Sequence, residues 1–236
     1  MPSSKTVIVT GASKGIGAAI AVDLDARGYD VVGLSRTGKS PAGCAIVCDM
    51  TDEAAVKAAI ADAVGSDGLA GLVNNAGLYI SDHSAELSTE DFLTVMSLNA
   101  TAVMIASREA YTHFKANGGG RIVNIGSCFD KMGVPNNLAY CASKAAVGAM
   151  TRCLAAEWAK DNITTIDIAP GYIETDLNRD YLSREKVKAW LADRIPTGEP
   201  GKPEDVAKLV GAVMAGDIPF LTGETIYIDG GQGMNH

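Results

Sequence analysis

Short β-branched apolar runs alternate along the chain with longer alanine-rich stretches whose apolar positions recur at helical spacing. The runs at 6–10, 31–35, 45–48, 71–74, 121–125, 164–168 and 225–228 read as strands. Several are apolar throughout instead of alternating, which implies a parallel sheet with helices over both faces. Helical period fills 15–27, 52–64, 89–117 and 140–160. With right-handed crossovers, this alternation leaves one economical arrangement. It is an α/β fold, a doubly wound parallel sheet of seven strands in the order 3-2-1-4-5-6-7.

No Pro/Ser-rich linker, low-complexity tract or repeat divides residues 1–236, so a single Rossmann-type domain is expected. The segment 176–203 breaks the alternation, carries Pro196, Pro200 and Pro203, and has no strand of its own. It is expected to lie as a small lid over the carboxyl ends of the strands. With 47% hydrophobic and 20% charged residues, the chain can bury a substantial core. A net charge of −8 argues against nucleic acid or an acidic membrane surface as partner. No apolar run approaches the ~20 residues of a membrane-spanning helix. The five cysteines (Cys44, Cys48, Cys128, Cys141, Cys153) form no secreted-domain framework, and Cys44 and Cys48 read as buried thiols. His83, His113 and His236 are scattered, so the expectation is a cytoplasmic, metal-free protein.

After the first strand comes Thr10-Gly11-Ala12-Ser13-Lys14-Gly15-Ile16-Gly17, then a helix. Small residues there let backbone approach a pyrophosphate, and the helix start offers free N–H groups and a positive dipole end. A ribose 2′-hydroxyl is normally bonded by an acid at the carboxyl end of the second strand. Asp30 precedes that strand; its far end carries Ser35-Arg36-Thr37, with Lys14 in the glycine turn. Two cations and two hydroxyls suit a 2′-phosphate, which predicts NADP(H) over NAD(H) as cofactor.

Tyr140-Cys141-Ala142-Ser143-Lys144 opens the helix at 140–160 with a phenol and an ammonium one turn apart on one face. A neighbouring ammonium favours phenolate, so Lys144 is expected to lower the Tyr140 pKa toward neutrality. Ser127, just past the fifth strand, lies at the same sheet edge.

In these motifs the sequence resembles the short-chain dehydrogenase/reductase family in its single-domain form. The resemblance also takes in Asn74-Asn75-Ala76-Gly77, Asn99, Pro170-Gly171 and Thr175. It implies an NADP(H)-dependent oxidoreductase acting on a small carbonyl or secondary alcohol. Tyr140 would exchange the proton on the substrate oxygen and Ser127 would bind that oxygen. Lys144 would hold the nicotinamide ribose, and Asn99 would maintain a water linked to solvent. Asp49 and Met50 are placed at the adenine, Asn75, Ala76 and Gly77 at the cofactor ribose, and Pro170, Gly171, Ile173 and Thr175 at the carboxamide. A homotetramer, or alternatively a homodimer, is implied, built on the small-residue helices with the tail 223–236 contributing. Gly126 departs from the pattern, standing where a second serine is frequent.

Substrate candidates span a 3-oxoacyl thioester, a polyol, a sugar-derived compound and a small cyclic ketone. Asp130, Lys131, Met132, Asn136, Leu138, Tyr172 and the lid 177–194 are the expected pocket. Two rivals share parts of the pattern: a non-catalytic NADP(H)-binding regulator of the same fold, and the longer epimerase/dehydratase branch. The regulator has no use for the ordered Asn-Ser-Tyr-Lys set. The longer branch usually has Gly-x2-Gly-x2-Gly and a larger substrate domain.

Overall fold

Val7, Ile8 and Val9 are 0% exposed, so the strand that carries them needs cover on both faces. The computed structural model, which describes residues 5–64, 68–176, 178–216 and 218–234, shows how that cover is built. Strand β1 (Thr6–Thr10) leads into helix α1 (Gly15–Ala26), then β2 (Asp30–Ser35), β3 (Cys44–Val47), α2 (Glu53–Val64) and β4 (Gly71–Asn74). Helices α3 (Thr89–Met96) and α4 (Ala102–Ala116) precede β5 (Gly120–Ile125), and α5 (Leu138–Trp158) precedes β6 (Ile163–Pro170). Then come α6 (Arg179–Leu182), α7 (Glu185–Arg194), α8 (Pro203–Ala215) and β7 (Thr225–Ile228).

The seven strands form one sheet in the order β3-β2-β1-β4-β5-β6-β7, all pairings parallel. Alternate residues of β1 feed opposite layers, as the two-residue strand period requires. Val7 and Val9 pack with Ile20, Leu24 and Val210 of α1 and α8. Ile8 packs with Ile60, Ile105 and Phe114 of α2 and α4 on the other face. The doubly wound sheet read from the sequence is therefore the observed fold.

Several boundaries differ for local reasons. The helix expected over 89–117 is interrupted by a π-helical turn at Ser97–Thr101, which separates α3 from α4. Asp30 lies within β2, paired with Thr6, and not before it, although still at the amino end. Cys44 is exposed, because β3 is an edge strand; Cys48 is buried as expected. The segment 176–203 holds α6 and α7, and Gly201 makes a lone parallel bridge with Ile173. Leu177 of the expected pocket and His236 of the expected tail lie outside the described residues. Among the described residues, no helix is long and apolar enough to cross a membrane.

Candidate active site

The strand order reverses between β1 and β4, and a cleft of about 1620 Å³ opens at the carboxyl ends of the strands there. One end is built on the glycine turn. Gly11 and Gly15 have φ of 70° and 57°, a left-handed backbone that costs glycine nothing. A Cβ on Gly11 would stand 2.9 Å from Ala76 Cα, so this turn packs directly on the chain leaving β4. The two are laced together: Thr10 Oγ1 accepts from the backbone N–H of Asn75 and of Ala76, both at 3.0 Å. Asn75 Nδ2 donates to the carbonyls of Thr10 (2.9 Å) and Gly11 (3.3 Å). Asn75 thus braces the turn as well as lining the cleft.

Helix α1 begins with Lys14 as N-cap, without a side-chain cap and without an acid in its first turn. Its free N–H groups and positive dipole end therefore face the cleft wall formed by Gly11, Ser13, Lys14, Gly15, Ile16 and Gly17. That chemistry fits a pyrophosphate. At the end of β2, Arg36 and Thr37 are exposed on the rim. Ser35 is buried, and its hydroxyl is committed to the following turn. It donates to the Lys39 carbonyl (3.0 Å) and accepts from the Lys39 N–H (3.1 Å). Asp49 accepts from Thr51 N (2.9 Å) and Thr51 Oγ1 (2.8 Å). Those bonds, with Arg36 nearby, hold its carboxyl below the usual carboxylate range. Met50, buried against Cys48, completes this wall.

At the other end Ser127 leaves β5 in extended conformation, and its Oγ accepts from the Phe129 N–H (3.2 Å). Tyr140, in the first turn of α5, lines the cleft half-buried. Burial pushes its phenol up to about 12, and a hydrogen bond with Ser127 works against that rise. Lys144 is buried one turn on and donates to the Ile125 carbonyl at 2.7 Å. Burial pulls its ammonium down to about 8, opposed by the charge of Asp167. The expectation that Lys144 draws the Tyr140 pKa toward neutrality is corrected here. The ammonium is tied to a backbone carbonyl, 5.7 Å from the Tyr140 ring centre, and burial dominates at both groups.

Gly126 now has a physical reason. A Cβ there would run into Oδ1 of Asp167 and lie 2.7 Å from Oδ2. Asp167 is wholly buried, accepts from Thr225 Oγ1 (3.2 Å), and is raised to about 6 by burial, offset by Lys144. The missing side chain makes room for the acid that faces Lys144.

Asn99 sits in the π-helical turn, buried, with its side chain spent on protein partners. Its Oδ1 accepts from Leu78 N (2.8 Å); Nδ2 donates to Leu78 O (2.9 Å) and Ser143 Oγ (3.1 Å). It pins the loop after β4 to α5 and is not on the cleft wall. Gly77, Pro170, Gly171, Ile173 and Thr175 are on that wall. Asn178 holds the last stretch, accepting from Thr175 N (2.7 Å) and donating to the Ile173 carbonyl (2.9 Å).

Of the pocket residues expected from sequence, Tyr172 lines the cleft and five others do not. Asp130 accepts from the Tyr227 hydroxyl (2.9 Å), and Lys131 stands 3.4 Å over the Tyr227 ring. Met132 and Leu138 face a separate cavity of about 300 Å³. Asn136 forms a left-handed turn with φ 65°. The expected lid contributes Asn178, Tyr181 and Leu182 to the wall, and Tyr79, Leu93, Phe129 and Asn137, not expected from sequence, complete it. Phe129 could have been found, because its spacing from Ser127 follows the tight turn that Ser127 caps. The rest depend on how loops from distant parts of the chain converge.

The chain belongs to the short-chain dehydrogenase/reductase family and is an oxidoreductase. A family model described as enoyl-(acyl carrier protein) reductase matches residues 11–233. The 3-oxoacyl-acyl-carrier-protein reductase MabA of Mycobacterium tuberculosis is 36% identical over 235 residues, covering 99% of this chain and 94% of that protein. The 2-dehydro-3-deoxy-D-gluconate 5-dehydrogenase of Escherichia coli is 34% identical, covering 96% of this chain and 94% of that protein. A solved chain from Agrobacterium tumefaciens, described as a 2-deoxy-D-gluconate 3-dehydrogenase with bound NADP, superposes with a TM-score of 0.89. It is 32% identical, with 98% of each chain covered.

Proposed function

We propose that the protein reduces a carbonyl compound with NADPH, with Tyr140 as proton donor. The observation that carries this is the Tyr140 phenol. It shares with Ser127 the wall of a cleft whose opposite end is an uncapped helix start suited to a pyrophosphate. Gly11, Ser13, Lys14, Gly15, Ile16 and Gly17 would hold the pyrophosphate, Arg36 and Thr37 the 2′-phosphate, and Asp49 and Met50 the adenine. Asn75, Ala76 and Gly77 would take the ribose near the adenine, Tyr140 and Lys144 the nicotinamide ribose. Pro170, Gly171, Ile173 and Thr175 would hold the carboxamide. The structural relative with bound NADP supports the choice of cofactor. Bound there, NADPH supplies the hydride to the carbonyl carbon.

The chain's own residues do the rest. Ser127 donates a hydrogen bond from its hydroxyl to the carbonyl oxygen and fixes its position. Tyr140 transfers its proton to that oxygen as negative charge develops on it. The Lys144 ammonium, bonded to the Ile125 carbonyl, would use its remaining donors to hold the nicotinamide ribose beside Tyr140. Asn99 acts by position, keeping α5 and the loop after β4 in register. We place the protein in the cytoplasm, in keeping with its five free thiols, and propose a homotetramer. The half-exposed edge strand β7 and the exposed Phe220 and Met234 supply apolar surface for such contacts.

The test is NADPH consumption by the purified protein over a panel of aldehydes and ketones. NADPH should be consumed in step with alcohol formed, and NADH about tenfold more slowly. Tight NADPH binding with no consumption across the panel would support the regulator instead.

A further inference from the structure

Only 6% of the chain is aromatic, yet five rings form one series that starts near the proton donor. Tyr79 meets Tyr140 edge to face at 5.4 Å between ring centres, and Phe129 meets Tyr140 at 6.0 Å. Phe129 also meets Tyr172 at 5.9 Å, and Tyr172 meets Trp190 of α7 at 5.6 Å. Each contact is near perpendicular, the favoured geometry for aromatic pairs. Phe129 and Tyr172 are thus each braced by two rings, and both line the cleft.

Charge points the same way. Among the described residues, the cations on the cleft wall are Lys14, Arg36 and Lys144. The first two stand at the glycine turn and the end of β2, and the third is buried, bonded to the Ile125 carbonyl, and assigned to the cofactor ribose. On the side beyond Tyr140, the charged groups on the wall are Glu90 and Asp176, both exposed acids. Arg179, next to Asp176, is ion-paired at 2.9 Å with both Glu174 and Asp176. On the cleft wall beyond Tyr140 the carboxylate of a sugar acid, or the phosphate of a carrier-borne pantetheine, would meet no lining cation and would face the Glu90 carboxylate. A neutral ring would shed water and gain ring contacts.

We infer that the substrate is an uncharged ketone, or the matching alcohol, whose body is an aryl or alicyclic ring resting against the cleft-facing sides of Phe129 and Tyr172. This rests on the oxidoreductase reading of the same cleft, and it sets the chain apart from relatives named for gluconates or carrier-bound acyl groups.

The experiment compares kcat/KM at saturating NADPH for α-tetralone, a keto-gluconate and acetoacetyl-CoA. α-Tetralone should lead by about tenfold or more, the scale of one good aromatic contact plus its buried area. Phe129→Ala should raise KM for α-tetralone about tenfold with a smaller change in kcat, and Phe129→Leu should recover most of that loss. NADPH affinity by titration should stay within about twofold in both variants, since the loss lies at the substrate end. A keto-gluconate or acetoacetyl-CoA that outruns α-tetralone overturns the ring-ketone inference and leaves the oxidoreductase reading standing. So does a KM for α-tetralone that Phe129→Ala leaves unchanged. If NADPH binds but none of the three is reduced, the functional reading falls and this inference falls with it.

Discussion

Tyr140→Phe should lower kcat for ketone reduction by ~10²–10⁴-fold while NADPH affinity changes little. The substitution removes only the hydroxyl. The ring keeps its edge-to-face contacts with Tyr79 and Phe129, so the wall of the cleft survives. What is lost is the proton that must reach the substrate oxygen, and Ser127 cannot replace it while still positioning that oxygen. The pH dependence follows from the two neighbouring groups. Tyr140, pushed up to about 12, stays protonated through the neutral range and remains a donor. Lys144, pulled down to about 8 by burial, carries its charge below that pH and loses it above. The reduction rate should therefore be flat near neutrality and fall as pH rises through the Lys144 pKa. Single-turnover rates of parent and variant across that range check both statements. A variant within tenfold of the parent would remove Tyr140 from the role of proton donor.

Arg36→Ala should weaken NADPH binding roughly ten- to a hundredfold and leave NADH binding nearly unchanged. The guanidinium stands exposed at the end of β2, where no acid competes for a ribose hydroxyl. It can grip a 2′-phosphate with two charge-assisted bonds, each contributing ~1.5–3 kcal/mol before solvent screening. Salt weakens such a contact, so both cofactors need titrating against parent and variant at one ionic strength. Equal loss of both cofactors would make Arg36 a general brace of the loop. Tighter NADH binding by the parent would reverse the cofactor assignment.

The sheet was legible because its strands are apolar runs with clear stops. Thr6–Thr10, Gly71–Asn74 and Thr225–Ile228 have the bounds that the pattern predicts. The π-helical turn at Ser97–Thr101 was not, since one wider turn barely disturbs apolar spacing over a long helical stretch. Helix α8 was hidden by its surroundings. Pro203 reads as the end of a proline-bearing lid, whereas it sits in the first turn, where proline is well tolerated. The glycine turn, Ser127, Tyr140 and Lys144 were visible as motifs, and the fold brings them to one cleft. Their electrostatics were not visible. The Lys144 pKa depends first on its burial and then on Asp167, a residue of β6 that the motif does not include and that packs where Gly126 has no side chain. The part of the expected pocket just after Ser127 failed for a related reason, whereas Tyr172 and the lid residues Asn178, Tyr181 and Leu182 do line the cleft. Asp130 and Lys131 follow Ser127 closely, yet they turn toward Tyr227 of β7, and only packing reveals that.

Transfer of deuterium from the reduced nicotinamide of NADPH to the product tests the central claim most directly. With labelled NADPH and a ketone, the parent protein should place the label on the carbinol carbon of the alcohol in a single configuration. One cofactor should be oxidised per alcohol formed, and Tyr140→Phe should suppress both together. Alcohol formed without label at that carbon, or NADPH bound and never oxidised with any carbonyl, would contradict the assignment of this cleft to carbonyl reduction.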